Sequence, residues 1–227
     1  MLENNKKIQT WAVIPAFNES KYIGDVIKKT LKHVDKIIVV DDFSKDNTFQ
    51  VSKKAGAYAL RNPINMGAGF STRIGCDLAS HFGADFILTI DADGQHDPEE
   101  IPKLKKLLIN KKLDIVFGSR PQDKNMPIIK RIGNKGLSFI ANVLFDVKIR
   151  DSQTGYHIFT RKAYKKLRWE SNRYGIVSEF VMKVGRHKLK VGEATVKTIY
   201  TDKEAGMTKI DAVKSVLSMF KWRLKGW

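Results

Sequence analysis

Short apolar runs alternate with helical patterns through the first half of the chain. The runs have the length of buried strands, and most stop abruptly at proline, glycine or aspartate. They cover residues 10–14, 36–40, 57–60, 86–90 and 114–117. Between them lie three segments whose apolar residues recur at helical spacing, residues 19–32, 46–55 and 98–110. Apolar strands that alternate with helices predict an α/β fold, with a mostly parallel, twisted sheet covered by helices on both faces.

Acidic residues concentrate where these strands end. Asp41 and Asp42 follow the second run, and Asp91-Ala-Asp93 with Gln95 follows the fourth. In open α/β sheets, ligands bind beyond the carboxyl ends of the strands. The acidic side chains of the first half are therefore expected to meet at one edge of the sheet.

The Asp-X-Asp pattern after a wholly apolar strand is typical of a site that binds a metal and a diphosphate. Two carboxylates one residue apart can share Mg²⁺ or Mn²⁺, which also holds phosphate oxygens of a substrate. The predicted metal ligands are Asp91, Asp93 and Gln95, whose amide oxygen is neutral. Asp46 is interpreted as a helix cap, and His96 as a loop residue.

Two common nucleotide-binding motifs are absent from the sequence. There is no Gly-x4-Gly-Lys-Ser/Thr, and the glycines of residues 65–69 lack the third glycine of a dinucleotide fingerprint. The sequence therefore indicates neither a P-loop nucleotide hydrolase nor a dehydrogenase. It favours a protein that binds a nucleoside diphosphate through a metal.

Charge is distributed unevenly along the 227 residues, whose net charge is +17. Residues 1–102 carry 12 basic and 14 acidic side chains, whereas residues 103–227 carry 29 and 10. The basic half suits an anionic partner, either a membrane surface or a phosphorylated substrate, although a solvated lysine surface would also explain it. Nucleic acid is not expected, because no reading motif is present and the acidic strand ends would repel phosphate.

Membrane contact is expected at the surface of the bilayer. The chain has no predicted signal peptide and no apolar run of about 18 residues, so neither secretion nor a transmembrane helix is expected. Residues 127–150 combine apolar and basic positions, and residues 209–227 form a basic amphipathic helix. An equally good interpretation of the second segment is a terminal helix that packs its apolar stripe on the core.

Five ordered motifs resemble family 2 glycosyltransferases, which have the GT-A fold. They are VIPAFNE (13–19), VVDDFSKDNT (39–48), NMGAG (65–69), DADGQH (91–96) and GSR (118–120). DSQTGYHIFTRKAY (151–164) and YTDKEAGMTK (200–209) resemble the branch that contains dolichyl-phosphate mannose synthase and polyprenyl-phosphate glucose synthases. The resemblance covers roughly residues 10–210 and implies a single GT-A domain over 1–227.

The resemblance implies a metal-dependent, inverting hexosyltransferase. Such an enzyme would move mannose or glucose from GDP-mannose or UDP-glucose to a polyprenyl or dolichyl phosphate. The implied cofactor is Mg²⁺ or Mn²⁺, and the implied location is the cytoplasmic face of a membrane, as a peripheral protein with or without a small membrane-anchoring partner. The alternative is a family 2 enzyme that acts on a hydroxyl of a glycan or protein.

Matching positions carry the donor-binding roles of the family to this chain. Pro15, Asn18 and Glu19 match the loop that lines the nucleotide pocket. Asp41 and Asp42 match the pair that contacts the base and the ribose. A carboxylate that accepts from a base N–H is physically sensible, since uracil and guanine both offer one.

The catalytic assignments rest on the same matching. Asp91, Asp93 and Gln95 match the residues that bind the metal and the sugar diphosphate, and Asp93 is expected to be catalytic. Arg120 and Arg131 match arginines that meet the phosphates of donor and acceptor, and both are expected to take part in catalysis.

Further binding residues and three departures lie elsewhere in the motifs. Lys203 and Lys209 match an arginine and a lysine that close over the diphosphate, and Glu179 matches a pocket residue. Lys203 keeps the charge of the arginine and loses its planar fork. Phe43 stands in place of a glycine, which could reshape the base or ribose pocket, and Thr208 replaces a serine.

The nature of the acceptor decides whether a general base is needed. The oxygen of a lipid phosphate is already ionised near neutral pH, so it needs cations to bring two anions together rather than a base. An alcohol acceptor needs a positioned carboxylate or histidine, for which Asp151 is the candidate, although its interpretation as a turn residue is favoured. The implied reaction is one in-line displacement with inversion at the anomeric carbon.

Overall fold

A computed structural model describes residues 7–120, 128–152, 154–172, 175–199 and 209–224, and gives the backbone alone for 128–135, 177 and 209–212. The described strands are β1 (Thr10–Ala16), β2 (Lys36–Asp41), β3 (Tyr58–Arg61), β4 (Phe86–Thr89), β5 (Ile115–Ser119), β6 (His157–Thr160) and β7 (Val191–Thr195). The described helices are α1 (Ile23–Thr30), α2 (Thr48–Lys54), α3 (Ala68–His81), α4 (Ile101–Asn110), α5 (Ile128–Phe145), α6 (Arg161–Leu167), α7 (Gly175–Arg186) and α8 (Lys209–Leu224).

The strands form one sheet in the order β3-β2-β1-β4-β6-β5-β7. Its pairings are parallel except for those of β6, which runs antiparallel to both β4 and β5. In β2 the run Lys36–Asp41 is buried along nearly all of its length, as expected for a strand covered on both faces. The predicted α/β class and mostly parallel sheet are therefore observed.

Two apolar layers enclose the sheet. On one face, α1 and α4 bury Ile23, Ile27 and Leu104 against alternate residues of β1 and β2. On the other face lie α3, α5, α6 and α7, with Trp169 fully buried among them. α3 lies directly on β1, where a Cβ on Gly75 would meet the Val13 side chain at 2.4 Å.

The second half departs most from the sequence-based picture. The pattern predicted β1 to β5 closely, but it did not predict β6, β7, α3, α6 or α7. β6 is only four residues long and lies between two strands that come earlier in the chain. A short strand with such distant partners leaves little trace in local periodicity.

α5 and α8 pack against each other and against α7. In α8, Ser215 and Met219 face the interior, while the apolar stripe of Val213 and Leu217 faces outward with 59% and 64% of the residue surface exposed. Val213 and Leu217 therefore do not pack on the core, whereas Val216 and Trp222 of the same helix are partly buried against it. Within the part of the chain that the structure describes, no helix is both long enough and apolar enough to cross a membrane.

Candidate active site

The carboxyl ends of the parallel strands meet at one edge of the sheet, and the antiparallel β6 begins at the same edge. Two groups of loops result. Those after β1, β2 and β3 are called the β1–β3 side, and they cover residues 17–20, 42–46 and 62–67. Those around β4, β6 and β5 are called the β4–β5 side, and they cover residues 90–97, 119–120 and 151–156.

A tight turn after β4 presents the two aspartates of the predicted metal site. Gly94 has φ 76°, a left-handed conformation that glycine adopts without strain. The Gln95 N–H donates to Asp93 Oδ1 at 2.9 Å, and the Gln95 carbonyl accepts from the Ile199 N–H at 2.9 Å. The turn thus brings Asp91 and Asp93 onto one short loop, in partly exposed positions.

Gly155 contacts the carboxylate of Asp91. A Cβ at residue 155 would lie 2.7 Å from both Asp91 oxygens, so only glycine leaves them room. The Thr89 hydroxyl donates to the Gly155 carbonyl at 2.8 Å and holds the two segments together. Burial raises the pKa of Asp91 to about 6, against the opposing effect of the Arg120 charge, even though 46% of the side-chain surface is accessible.

His96 positions this loop as a neutral imidazole. The ring is buried and stacks on Tyr156 with centroids 5.0 Å apart. Burial lowers its pKa to about 4, despite the nearby Asp93 carboxylate, so the ring is uncharged at neutral pH. Its Nδ1 accepts from the Asp91 N–H at 3.4 Å, and the 3.6 Å approach of Nδ1 to Asp91 Oδ2 is therefore not an ion pair.

Arg120 and Asp151 form a two-point ion pair at the end of β5. The Arg120 Nε and Nη2 donate to the two Asp151 oxygens at 2.8 and 3.0 Å, and the Arg120 N–H donates to the same carboxylate at 3.2 Å. Electrostatic interactions link this pair to Asp91 and His96. The structure therefore brings the predicted arginine to the acidic loop and fixes its orientation through Asp151.

On the β1–β3 side, Asp42 is buried and holds a neighbouring loop. Its Oδ1 accepts from the Asn62 amide at 2.7 Å and from the Met66 N–H at 2.9 Å, and its Oδ2 accepts from the Gly67 N–H at 2.7 Å. These bonds fix the start of α3. The carboxylate is thus engaged by the protein itself, and its predicted contact with base or ribose is untested.

Asp41 is also buried and braces its own loop. Its Oδ1 accepts from the N–H and the hydroxyl of Ser44, the former at 3.1 Å. Its Oδ2 lies 3.3 Å from the Arg61 Nε. Asp41 and Arg61 together therefore fix the backbone around Phe43, which has φ 67°.

The loop after β1 is hydrogen-bonded to the segment that follows β2. The Asn18 N–H donates to the Ser44 hydroxyl at 2.9 Å, and the Lys45 N–H donates to Asn18 Oδ1 at 2.8 Å. The Glu19 N–H donates to the Thr48 hydroxyl at 2.8 Å. Pro15 lies within β1, beside Val40 of β2.

Asp46 accepts from the N–H and hydroxyl of Thr48, at 3.0 and 2.5 Å, and from the Ser20 N–H at 3.1 Å. Burial raises its pKa, but these hydrogen bonds outweigh burial and lower it to about 2. Asp46 therefore supports the first turn of α2 in the manner of a cap, although it lies one residue before the N-cap position, Asn47.

The other predicted residues lie apart or outside the described side chains. Glu179 is buried and accepts from the Glu170 and Ser171 N–H groups at 2.8 and 2.9 Å, so it holds the segment next to α3. Arg131 and Lys209 lie on the described backbone of α5 and α8, but their side chains lie outside the described part, as does the whole of Lys203.

The residues present fit a divalent metal that is shared with a substrate. Among the described residues, no group of three histidine, cysteine, aspartate or glutamate side chains is placed to hold an ion. Asp91 and Asp93 with the Gln95 amide instead offer a few oxygen ligands, and Gly155 leaves space at the Asp91 oxygens. Mg²⁺ and Mn²⁺ suit such partial sets, completed by water and phosphate.

Sequence reasoning did not single out Gly155, Arg61 or Asn62. Gly155 was detectable, because it lies in the motif at 151–156 and a glycine beside a polar turn often marks a close approach. Arg61 and Asn62 follow the weakest predicted strand, and their importance depends on side-chain contacts that no local pattern reveals.

Comparison with solved structures gives the fold. Glucosyl-3-phosphoglycerate synthase from Mycobacterium tuberculosis, in complex with phosphoglyceric acid, superposes with a TM-score of 0.76 at 17% identity, covering 94% of this chain and 80% of that one. The same enzyme with Mn²⁺, UDP and glucosyl-3-phosphoglycerate has a TM-score of 0.72 at 17% identity, covering 96% and 80%. The chain has the GT-A glycosyltransferase fold.

Sequence comparison gives the family. An uncharacterized protein of Methanocaldococcus jannaschii is 40% identical over 86% of this chain and 84% of its own length. The UDP-N-acetylglucosamine–dolichyl-phosphate N-acetylglucosaminyltransferase of Methanococcus voltae is 38% identical over 85% and 86%. A dolichyl-phosphate β-glucosyltransferase of Trichomonas vaginalis is 28% identical over 95% and 74%. The family model described as glycosyl transferase family 2 matches residues 11–168, and the chain belongs to this family.

Proposed function

We propose that this glycosyltransferase moves a hexose from a nucleoside-diphosphate sugar to a polyprenyl or dolichyl phosphate, with inversion at the anomeric carbon. The observation that carries the proposal is the meeting of the acidic turn, with Asp91 and Asp93, and the Arg120–Asp151 pair at one sheet edge. Two relatives support the acceptor, since their names place the sugar on dolichyl phosphate.

The names of relatives also bear on the donor. One relative uses UDP-N-acetylglucosamine, another transfers glucose, and solved neighbours bind UDP or UDP-glucose. We therefore favour a UDP-linked sugar, glucose or N-acetylglucosamine, over GDP-mannose. GDP-mannose stays in the test as the competing donor.

A divalent ion held by Asp91, Asp93 and Gln95 would supply positive charge beside the leaving nucleoside diphosphate. The chain contributes the geometry of this site. Gly155 and His96 fix the position of Asp91, through close contact and through its backbone N–H respectively. Such preorganised groups are worth about 2.7–4 kcal/mol each when they are removed.

Arg120 is proposed to meet a phosphate group. Asp151 holds its guanidinium through two hydrogen bonds, so the cation approaches the site in a fixed orientation. Arg131, Lys203 and Lys209 remain proposed as further cations for the donor and acceptor phosphates. Together they would offset the repulsion between two anionic substrates.

The engagement of Asp151 favours a phosphate acceptor over an alcohol. A carboxylate whose two oxygens both accept hydrogen bonds from an arginine is a poor acceptor for a substrate proton. An alcohol acceptor needs such a base, whereas an ionised lipid phosphate does not. Transfer to a hydroxyl of a glycan or protein is therefore the second choice.

An exposed apolar surface on α5 and α8 supports acceptor delivery from a bilayer. Its members share high exposure on two helices that pack together: Phe139, Val143, Val213, Leu217, Phe220 and Leu224. Exposed basic residues accompany them on α8: Lys214, Lys221 and Arg223. A basic, apolar helix face suits the surface of an anionic membrane.

The test is transfer of labelled sugar to a short polyprenyl phosphate. UDP-glucose, UDP-N-acetylglucosamine and GDP-mannose are each supplied with Mn²⁺ or Mg²⁺. The variant Asp93→Asn removes one predicted ligand charge, and Asp97→Asn is the matched control in the same loop, where residue 97 caps a short turn through Glu99. We expect metal-dependent labelled lipid with a UDP sugar, lost in Asp93→Asn and kept in Asp97→Asn.

The outcomes separate the parts of the proposal. Labelled lipid from GDP-mannose alone would overturn the choice of donor. Hydrolysis of a donor without labelled lipid would keep the donor site and move the acceptor to a hydroxyl. Failure of all three donors to react, in a folded protein with metal present, would overturn the proposed function.

A further inference from the structure

Phe43 combines an unusual backbone conformation with an exposed aromatic ring. Its φ is 67°, in the left-handed region that a bulky residue rarely adopts and that glycine adopts freely. The residue is 44% exposed and follows Asp42 at the carboxyl edge of the sheet. Neither the backbone nor the core needs a phenyl ring at this position, so its role concerns what the ring presents to solvent.

Arg61 supports the ring from one side. Its guanidinium carbon lies 5.6 Å from the centroid of the Phe43 ring, a cation–π arrangement. The same guanidinium donates to the Ser44 carbonyl and lies 3.3 Å from Asp41 Oδ2 through Nε. Because Arg61 is anchored at two further points, its guanidinium has a fixed position beside the ring.

The neighbouring loop adds a second exposed aromatic residue. Phe17 is 43% exposed, and its loop is bonded to that of Phe43 through the Asn18–Ser44 and Lys45–Asn18 hydrogen bonds. The two loops are therefore joined, and together they carry two exposed phenyl rings and a guanidinium. Aromatic and guanidinium surfaces of this kind are the groups on which nucleobases stack.

We propose that Phe43, supported by Arg61, is a stacking surface for the base of the donor nucleotide and favours a pyrimidine over a purine. This inference rests on the proposed function, which supplies a nucleoside diphosphate. A phenyl ring fills space that a glycine would leave open, so the proposed preference is for the smaller base. Phe43 is thus a specificity-determining residue rather than a catalytic one.

The test measures binding of UDP and of GDP, each with Mn²⁺, by titration calorimetry. Phe43→Gly is expected to weaken UDP binding about tenfold, the loss typical of one stacked base, and to weaken GDP binding less. Phe43→Trp is expected to keep the affinity for UDP. Phe43→Leu, which keeps apolar bulk without an aromatic face, is expected to behave like the glycine variant.

Lys112→Gly is the matched control. Residue 112 also has a positive φ, 47°, but it follows α4 at the opposite edge of the sheet. Both glycine replacements relieve backbone strain, so both should unfold at the same or higher urea concentration than the parent protein. Only Phe43→Gly should change nucleotide binding, and a folded Phe43→Gly protein excludes misfolding as the cause.

The donor KM gives an independent readout. A stacking residue contributes equally to the ground state and the transition state, so Phe43→Gly should raise the KM for the UDP sugar and leave kcat unchanged. If Phe43→Gly binds UDP as tightly as the parent, or if Phe43→Leu does, the stacking role is wrong while the donor site stands. If the parent binds neither UDP nor GDP, the proposed function fails, and this inference fails with it.

Discussion

The two sides of the active-site edge use carboxylates in opposite ways. On the β1–β3 side, Asp42 is 3% exposed, and backbone N–H groups of Met66 and Gly67 occupy its oxygens. On the β4–β5 side, the Asp91 side chain is 46% accessible and its pKa is raised to about 6. Both oxygens of Asp42 are hydrogen-bonded within the protein. The charged form of Asp91 is unfavourable until a cation neutralises it.

The carboxylates on the first side stabilise the fold, whereas the carboxylate on the second side is available to a ligand. On the β1–β3 side, hydrogen bonds that include Asn18, Ser44 and Asn62 join the loops to one another and to α3. The β4–β5 side keeps its charge for a ligand. Substitutions of the carboxylates on the first side should therefore act mainly on stability, and those of the carboxylates on the second mainly on metal binding and activity.

The largest expected effect is the loss of stability in Asp42→Ala. The substitution removes the acceptor of the Met66 and Gly67 N–H groups and of one Asn62 amide hydrogen, while the Asn62 amide keeps its bond to Ser71. Each buried group left without an acceptor costs about 1–3 kcal/mol. The free energy of unfolding, measured in urea, should fall by about 3 kcal/mol. Asp25→Ala, at an exposed position of α1, is the control and should change it by less than about 0.5 kcal/mol. Equal losses of unfolding free energy in Asp42→Ala and Asp25→Ala would contradict the structural role of Asp42.

Gly155→Ala tests the β4–β5 side, where a large loss of activity is expected together with a smaller loss of stability. The new Cβ would meet the Asp91 oxygens at 2.7 Å and displace the carboxylate. A displacement of this size should lower kcat/KM about 100-fold and weaken Mn²⁺ binding, with a smaller effect on unfolding than Asp42→Ala. Gly136→Ala, where a Cβ meets nothing within 4 Å, is the matched control. Unchanged Mn²⁺ affinity in Gly155→Ala would exclude Asp91 as a ligand.

The pH dependence of stability distinguishes Asp91 from its neighbours. Its folded-state pKa, about 6, lies above the ordinary value of 3.8, so the folded state binds the proton more tightly. In metal-free protein this group therefore contributes stability below pH 4 that is lost as pH rises through 6. Asp91→Asn should raise the metal-free stability at pH 7 by about 1 kcal/mol, a modest value because solvent screens the accessible side chain. Urea unfolding at pH 4 and pH 7 gives the comparison, and a loss of stability at pH 7 would contradict it.

The smallest expected effect belongs to Asp46, on the β1–β3 side. Its pKa is lowered from 3.8 to about 2, so its contribution is present above pH 4 and is lost as pH falls through 2. Asp46→Ala should cost about 0.5–1 kcal/mol at pH 7, as for a helix cap. The difference from the parent should shrink as pH falls from 4 to 2. A difference that stays constant with pH would show that the carboxylate charge is not involved.

The sequence predicted the strands β1, β2 and β4 better than β6 and β7. β1, β2 and β4 are continuous apolar runs that end at proline or polar residues. Their order along the chain fixes where the acidic turns lie. β6 and β7 are short, and β7 includes Gly192 and Glu193, so neither has the pattern of a buried strand. The residues 151–156 belong to a motif that carries the family resemblance, but only the structure shows that they lie beside the acidic turn.

The roles of individual carboxylates were the least predictable feature. Asp41, Asp42 and Asp91 look alike in the sequence, because each follows an apolar strand. Their differences come from distant partners, namely Arg61 for the first, the 62–67 loop for the second and Gly155 for the third. Side-chain partners that lie 20 or more residues away are set by tertiary packing, which local patterns do not report.

The position of β6 has a consequence for synthesis of the chain on the ribosome. β6 begins 71 residues after the start of β4 and lies between β4 and β5, both of which are made first. A nascent chain that ends before residue 157 thus has two strand edges with unpaired backbone groups, which favour association with other chains. Because β6 also brings Gly155 to Asp91, the contact between these two residues can form only after that gap has closed.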